Sequence, residues 1–261
     1  MIKINGIIVG NTVFPNQERI MKTIEQTNDF VIDMYFESDI DVFTLSIYKK
    51  YLDDMFPLQS KILNMKYIPY SRMDREIDGY VFSLKYFTQI INDLYFDEVN
   101  VIDPHSYVSK ALLHRCKEAS VFNNIYNIFV DNKIDYVFYP DAGAMKRYSE
   151  VLNLPNNTEY FFGNKKRNLQ TGDIVKFELV NQPDLEGKTV LIIDDLCSKG
   201  GTFLASADEI KKNGAYKVLL YVTHCEHSIY DGNILTSDLI DKVYTTDSIL
   251  HDFSSKKIQK L

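Results

Sequence analysis

No apolar run in this chain of 261 residues approaches the roughly 20 positions that a membrane-spanning helix needs, so an integral helical membrane protein is excluded. The opening stretch, MIKINGIIVGNTVFPNQE, lacks the long apolar core and small-residue cleavage site of a secretory signal. We read the protein as cytoplasmic, with no membrane partner. Cysteine is scarce as well. Cys116, Cys197 and Cys225 are odd in number and far apart, which argues against a disulfide framework and fits a reducing compartment. Positive charge is in deficit, with 29 Lys and Arg against 36 Asp and Glu and a formal net charge of −7. That balance points away from nucleic acid as a partner, while a local group of cations still suffices for a small anionic ligand. There is no internal repeat of about 20–50 residues and no low-complexity tract. The ATP-binding P-loop, Gly-x4-Gly-Lys-Ser/Thr, is missing too.

What is present is an alternation. Hydrophobic residues make up 45% of the chain and charged residues 25%, ordinary proportions for a folded protein, so the order of residues carries the information. Strands are expected at Phe30–Phe36, Lys61–Pro69, Glu98–Ile102, Tyr136–Tyr139, Glu159–Phe162, Ile174–Leu179, Thr189–Ile193, Lys217–Thr223 and Lys242–Thr245. Amphipathic stretches lie between several of them. In YVFSLKYFTQIINDLYF, Phe82, Tyr86, Ile90 and Leu94 recur at i, i+4 spacing and predict one helix face. In TFLASADEIKKNG, Phe203, Ala207 and Ile210 do the same, and Gly214 supplies a C-cap. Near-continuous apolar strands alternating with helices predict an α/β fold of mostly parallel sheets flanked by helices. The break DNKID, Asp131–Asp135, predicts two halves, 1–130 and 131–261.

The segment VLIIDDLCSKGGTF, Val190–Phe203, runs four apolar residues into two acids and then into a glycine turn. Ligands of open α/β sheets bind beyond the carboxyl ends of strands, which is where Asp194 and Asp195 stand. Gly200 and Gly201 let the backbone come close to an anion and turn N–H groups toward it. The helix that follows adds its positive end, and Thr202 adds a hydroxyl. Such a loop suits a phosphate, with the acids holding polyol hydroxyls or a metal.

This acid-acid-x4-Gly-Gly-Thr pattern resembles the phosphoribosyl diphosphate (PRPP) loop of type I phosphoribosyltransferases and PRPP synthetases. Further segments favour the synthetases. YSRMDRE (Tyr70–Glu76) resembles their Tyr-x-Arg-Gln-Asp-Arg, and DPHS (Asp103–Ser106) their Asp-Leu-His-Ala. YPDAGAMKRY (Tyr139–Tyr148) resembles Ser-Pro-Asp-x-Gly-Gly-x-x-Arg, and NKKRN (Asn164–Asn168) the Lys-Arg-Arg of their catalytic flexible loop. VTHCEHS (Val222–Ser228) is similar to their Thr-His segment and FPNQE (Phe14–Glu18) to Phe-Pro-Asp-Gly-Glu. These segments keep the family's order across nearly the whole chain. The resemblance is to ribose-phosphate pyrophosphokinases, and it implies two related phosphoribosyltransferase-type domains: an N-terminal one on the ATP side and a C-terminal one carrying the ribose-phosphate loop.

The resemblance also implies a reaction, Mg2+-dependent transfer of the β,γ-diphosphate of ATP to the 1-hydroxyl of a 5-phosphorylated ribose, releasing AMP. Arg72, Asp74 and His105 would then serve the ATP site, with Phe14, Asn16 and Glu18 approaching the adenine from a neighbouring subunit of a homo-oligomer, a dimer or larger. His105 and Asp141 would meet the metal, a hard carboxylate for a hard cation in the second case. Lys165 and Arg167, in the run GNKKRNLQTGD that reads as a mobile loop, would stabilise the transition state. Asp194 and Asp195 would hold the ribose hydroxyls, and Ser198, Lys199, Gly200, Gly201 and Thr202 the 5-phosphate.

Departures from the family matter as much. The chain is shorter than ordinary members, and Met73, Asn16 and Gln17 replace Gln, Asp and Gly. Ser198-Lys199 stands where Asp-Thr is typical, which removes one negative charge and adds one positive. An ammonium gains real attraction from a second anionic group within about 4–6 Å. The exchange therefore suggests an acceptor extended past its 5-phosphate, ADP-ribose, with ribose 5-phosphate as the alternative. The short form also resembles a bacteriophage branch of the family, part of which is associated with rebuilding NAD from ADP-ribose, and would then act in the host cytoplasm. A type I phosphoribosyltransferase would not need the segments at Tyr70–Glu76 and Asp103–His105. A noncatalytic relative would be expected to lose Lys165 and Arg167. HCEH (His224–His227) is not read as a zinc site, because consecutive strand residues alternate in direction. The ending SSKKIQK reads as a frayed basic tail.

Overall fold

The computed structural model describes residues 1–77, 79–149, 158–167 and 174–261; of residues 165–167 and 174–177 only the backbone is described. The chain forms two compact units, Met1–Ser120 and Val121–Leu261. The sequence places the division at 130/131, and the two differ by one helix, α4 (Phe122–Asp131), which goes with the second unit. Two contacts tie the end of α4 there: Asn132 Nδ2 donates to the Tyr244 hydroxyl at 3.0 Å, and Lys217 Nζ donates to Asn132 Oδ1 at 3.0 Å.

The first unit runs β1 (Ile2–Ile4), β2 (Ile7–Val9), β3 (Thr12–Val13), β4 (Arg19–Ile20), β5 (Asp29–Met34), α1 (Asp39–Met55), β6 (Ser60–Met65), α2 (Ser83–Asn92), β7 (Glu98–Ile102), α3 (Tyr107–Leu112) and β8 (Cys116–Ala119). Its main sheet has the order β2-β1-β5-β6-β7-β8, parallel from β5 to β8 and antiparallel at β1 and β2. Because β5 to β8 sit in sequence order, right-handed crossovers carry the helices to one face. Burial follows that rule. Phe30, Ile32 and Met34 of β5, Leu63 and Met65 of β6 and Val99 and Val101 of β7 share one core with Leu45, Tyr48 and Leu52 of α1. The other face carries a polar ladder in which Asn100 donates to Asn64 at 3.0 Å and Asn64 to Asp33 at 2.9 Å.

The face expected on α2 is corrected here. Tyr86 and Ile90 are 57% and 47% exposed, while Leu84, Phe87, Thr88 and Ile91 are buried. The helix carries two apolar stripes, and the one at i, i+3, i+4, i+7 from Leu84 takes the core. The other lines an apolar groove of about 480 Å³ with Val42 and Phe43 of α1.

The second unit continues with β9 (Tyr136–Tyr139), α5 (Ala142–Tyr148), β10 (Tyr160–Arg167), β11 (Ile174–Val180), β12 (Thr189–Cys197), α6 (Gly201–Lys212), β13 (Lys217–Cys225), a 3₁₀ turn (His227–Asp231), β14 (Lys242–Thr245) and β15 (Ile258–Lys260). Its sheet has the order β11-β10-β9-β12-β13-β14-β15, and only β11 runs antiparallel to its neighbour. From β9 the chain steps to β10 and β11 on one side, and β12 to β15 extend on the other. The strand order reverses at β9/β12. Burial shows the two helices on opposite faces: Phe138 packs in the core that holds Phe203 and Ala207 of α6, while the next residue, Tyr139, stacks on Tyr148 of α5.

α6 buries Phe203, Ala207 and Ile210 as expected. It ends on Gly214 (φ 95°), whose N–H donates to Lys211 O at 3.0 Å while Ala215 N–H reaches Ile210 O at 3.4 Å. Two expectations fail. The ending is not a frayed tail: β15 pairs in parallel with β14, and Ile258 is 5% exposed in the core. The loop expected across 163–173 begins later, because 163–167 complete β10 against β11, while residues 168–173 lie outside the described residues. Among the described residues, no helix is long and apolar enough to cross a membrane.

Candidate active site

The reversal at β9/β12 opens a crevice at the carboxyl edge of the second sheet, where two strands send their crossovers to opposite faces. Three acids stand at that edge. Asp141 follows β9 and caps α5, its Oδ1 accepting from the N–H groups of Gly143 and Ala144, each at 3.0 Å. β12 runs past its expected end at Ile193 to Cys197, so Asp194 and Asp195 lie within the strand near its carboxyl end, with Asp195 buried and its Oδ1 2.8 Å from Arg147 Nη1 of α5. Asp194 Oδ1 accepts from the N–H of Asp195 at 2.9 Å. Burial first, then the charges of Asp195 and Asp141, hold the Asp194 carboxyl well above the usual carboxylate range. Arg147 has no role in the sequence reading, although it lies in YPDAGAMKRY. Its position six residues after Asp141, on the helix leaving the same strand, was the available signal.

Past the acids the chain turns through Ser198, Lys199 and Gly200 into α6. Gly200 is left-handed (φ 81°), and a Cβ there would lie 1.9 Å from Ile234 Cδ1, so the turn requires glycine. No side chain caps α6 and no acid occupies its first turn. Its first N–H groups lie at the crevice end of the helix, where a helix start favours an anion. Lys199 is exposed and Thr202 partly buried. The Ser198 hydroxyl donates to Glu226 Oε2 at 2.6 Å. Lys165 and Arg167 belong to β10, which pairs in parallel with β9, so their backbone extends past the same carboxyl edge; their side chains lie outside the described residues.

The remaining predicted residues belong to the first unit. Phe14, Asn16 and Glu18 form the exposed tip of the β3–β4 hairpin, closed by Phe14 N–H on Glu18 O at 2.8 Å. Arg72 is exposed and Asp74 partly buried on a turn anchored by Tyr70, whose hydroxyl donates to Asp39 and whose ring lies 5.7 Å from Phe87. His105 is partly buried just beyond β7, two residues after buried Asp103.

Among the described residues, no three His, Cys, Asp or Glu side chains converge as a ready metal cage. Mg2+ does not need one, since it keeps waters and binds through one or two carboxylates plus substrate phosphates. Burial first, and then the charges of Asp195 and Asp141, raise the proton affinity of Asp194, and a cation at this edge would relieve the charge part of that cost. The residues fit it.

Comparison with known proteins finds relatives over most of the chain. A family model described as the phosphoribosyl synthetase-associated domain matches residues 173–261. The ribose-phosphate pyrophosphokinase of Pyrococcus abyssi is 30% identical over 224 residues, which cover 81% of this chain and 74% of the relative. That of Sulfurisphaera tokodaii is 29% identical over 270 residues, covering 97% and 88%. The crystal structure of phosphoribosylpyrophosphate synthetase from Mycobacterium smegmatis matches with a TM-score of 0.76 at 16% identity, over 96% of this chain and 84% of that one. The fold is thus that of the PRPP synthetases, two α/β units of phosphoribosyltransferase type. The chain belongs to the ribose-phosphate pyrophosphokinase family and is an enzyme of that diphosphotransferase type.

Proposed function

We propose that the enzyme transfers the β,γ-diphosphate of ATP to the anomeric hydroxyl of a ribose that carries a 5-phosphate, with ADP-ribose as the acceptor and ADP-ribose 1-diphosphate as the product. The observation that carries the reading is the left-handed glycine turn at the start of α6, shortly after an acid pair at the strand-order reversal. The turn binds the 5-phosphate through main-chain N–H groups and the Thr202 hydroxyl. Asp195, paired with Arg147, and Asp194 accept from the ribose 2- and 3-hydroxyls and fix the sugar. The 1-hydroxyl then attacks the β-phosphorus in line, the bond from that phosphorus to the α-phosphate oxygen breaks, AMP leaves, and the hydroxyl proton is released. Lys165 and Arg167 spread the charge that develops on the transferring phosphates.

Asp141 would hold a Mg2+ ion in the second unit and His105 would meet the Mg2+ of ATP in the first, and the metal would supply charge neutralisation at the phosphates. Arg72, Asp74 and His105 serve ATP, and Phe14, Asn16 and Glu18 meet the adenine from a second copy in a homo-oligomer. The site of action is the cytoplasm.

Lys199 supports ADP-ribose over ribose 5-phosphate: it is an exposed cation on the loop itself, placed for an anionic group beyond the first phosphate. Purified enzyme with Mg-ATP and each acceptor in turn, followed by AMP release, tests both levels. Faster turnover of ADP-ribose is expected. Faster turnover of ribose 5-phosphate overturns the acceptor, and no AMP with either overturns the reaction.

A further inference from the structure

A residue with no place in the reaction above grips the phosphate loop. The N–H of Glu226, directly after β13, donates to Cys197 O at 2.8 Å. Its carboxylate accepts from Ser198 Oγ at 2.6 Å, and Ser228 Oγ donates to the same oxygen at 3.1 Å. One residue therefore holds two consecutive positions of the chain as it leaves β12, the first by main chain and the second by side chain. The segment that follows adds a wall. A Cβ on Gly232 would lie 2.1 Å from Lys199 O, so the two backbones are in contact there, and Ile234 is the residue that fills the space beside Gly200.

We propose that Glu226 is the positioning residue of the phosphate loop and sets the enzyme's affinity for its phosphorylated acceptor. The inference rests on the reading that this loop holds the acceptor's phosphate. A hydroxyl bonded to a carboxylate makes a hydrogen bond about twice as strong as a neutral pair, and it fixes direction as well as distance. Anion binding by main-chain N–H groups depends on several of them pointing to one spot, and a loop that is ordered beforehand loses less freedom when the ligand arrives. The bond also commits the Ser198 proton to Glu226 rather than to the phosphate. Glu226 acts through Ser198 rather than on the substrate. Its removal loosens the acceptor end while leaving the diphosphate transfer itself intact.

Three variants of the full chain, Glu226→Ala, Glu226→Gln and Thr202→Val, compared with wild type in steady-state kinetics and thermal melts, test this. The acceptor is the phosphorylated ribose that wild type turns over. Glu226→Ala should raise the acceptor KM about 10-fold or more, with kcat and the KM for ATP within about 2-fold of wild type. Glu226→Gln still presents an oxygen to Ser198 and should recover most of the loss. A raised KM in Thr202→Val with none in Glu226→Ala overturns the role of Glu226 and leaves the loop as the phosphate site. An unchanged acceptor KM in both variants overturns the site itself. Equal losses in kcat and both KM values, with no rescue by Glu226→Gln, mean a general structural role and also overturn the proposal.

Discussion

The two units are built from the same parts and wind differently. In the first, β5 to β8 follow one another across the sheet, every crossover lands on one face, and the strand ends form a continuous edge. In the second, the order reverses between β9 and β12, α5 and α6 go to opposite faces, and three acids gather at the gap. The two helices at that gap differ in turn. α5 is capped by its own acid, Asp141, whereas α6 begins on a left-handed glycine with no side-chain cap. A helix start that is already satisfied has little to offer an outside anion, and one that is open has its first N–H groups available. Topology thus sets the crevice, and on the proposed reading the start of α6 is the side of it that receives the phosphate.

The largest expected effect tests the flank of that crevice. Lys165→Ala should lower kcat by about 10²–10³-fold while ATP still binds, measured by AMP release beside nucleotide titration. Unchanged activity would remove Lys165 from the site. Gly200→Ala should follow, because a Cβ there meets Ile234 and the positive φ resists any side chain. A stability loss of about 1–3 kcal/mol in denaturant unfolding, together with weaker acceptor binding, is expected.

Asp194→Asn sharpens the comparison from the other direction, since it should stabilise the unliganded protein while impairing turnover. Burial and the neighbouring acids raise the Asp194 pKa, so the folded state holds that proton more tightly than the unfolded state. Stability from this group is therefore present at low pH and lost as pH rises from the ordinary carboxylate range through the raised value. The variant should melt about 2–6 °C higher than wild type near neutral pH, with the gap closing in acid and on addition of Mg2+. A lower melting temperature contradicts the electrostatic account. The smallest effect belongs to Lys199→Ala, an exposed charge. It should raise the KM for ADP-ribose by about 3–10-fold and leave that for ribose 5-phosphate within about 2-fold.

Much of this was legible in the sequence where a long apolar run met a polar end. Tyr136–Tyr139, Glu98–Ile102 and Lys242–Thr245 are strands at the expected limits, and the turn after Asp195 is placed as its glycines imply. Short or two-faced elements were not legible. β1 to β4, β8 and β15 hold two to four residues each, too few for a period to emerge; β1, β8 and β15 are fixed by pairing with longer strands, β2 by β1, and β3 and β4 by each other. α2 offered two apolar stripes, and only the sheet beneath it decides between them. At the site, the acid pair and the glycine turn were readable as a motif. The Arg147–Asp195 pair and the Glu226 grip on Ser198 join residues 48 and 28 positions apart and needed the fold.

The most direct test is a crystal of the enzyme soaked with its phosphorylated acceptor. Density for the 5-phosphate should sit against the N–H groups of the Lys199–Thr202 turn at the start of α6, with the ribose hydroxyls on Asp194 and Asp195. A phosphate bound at the start of α5, or at the edge of the first sheet, would contradict the account.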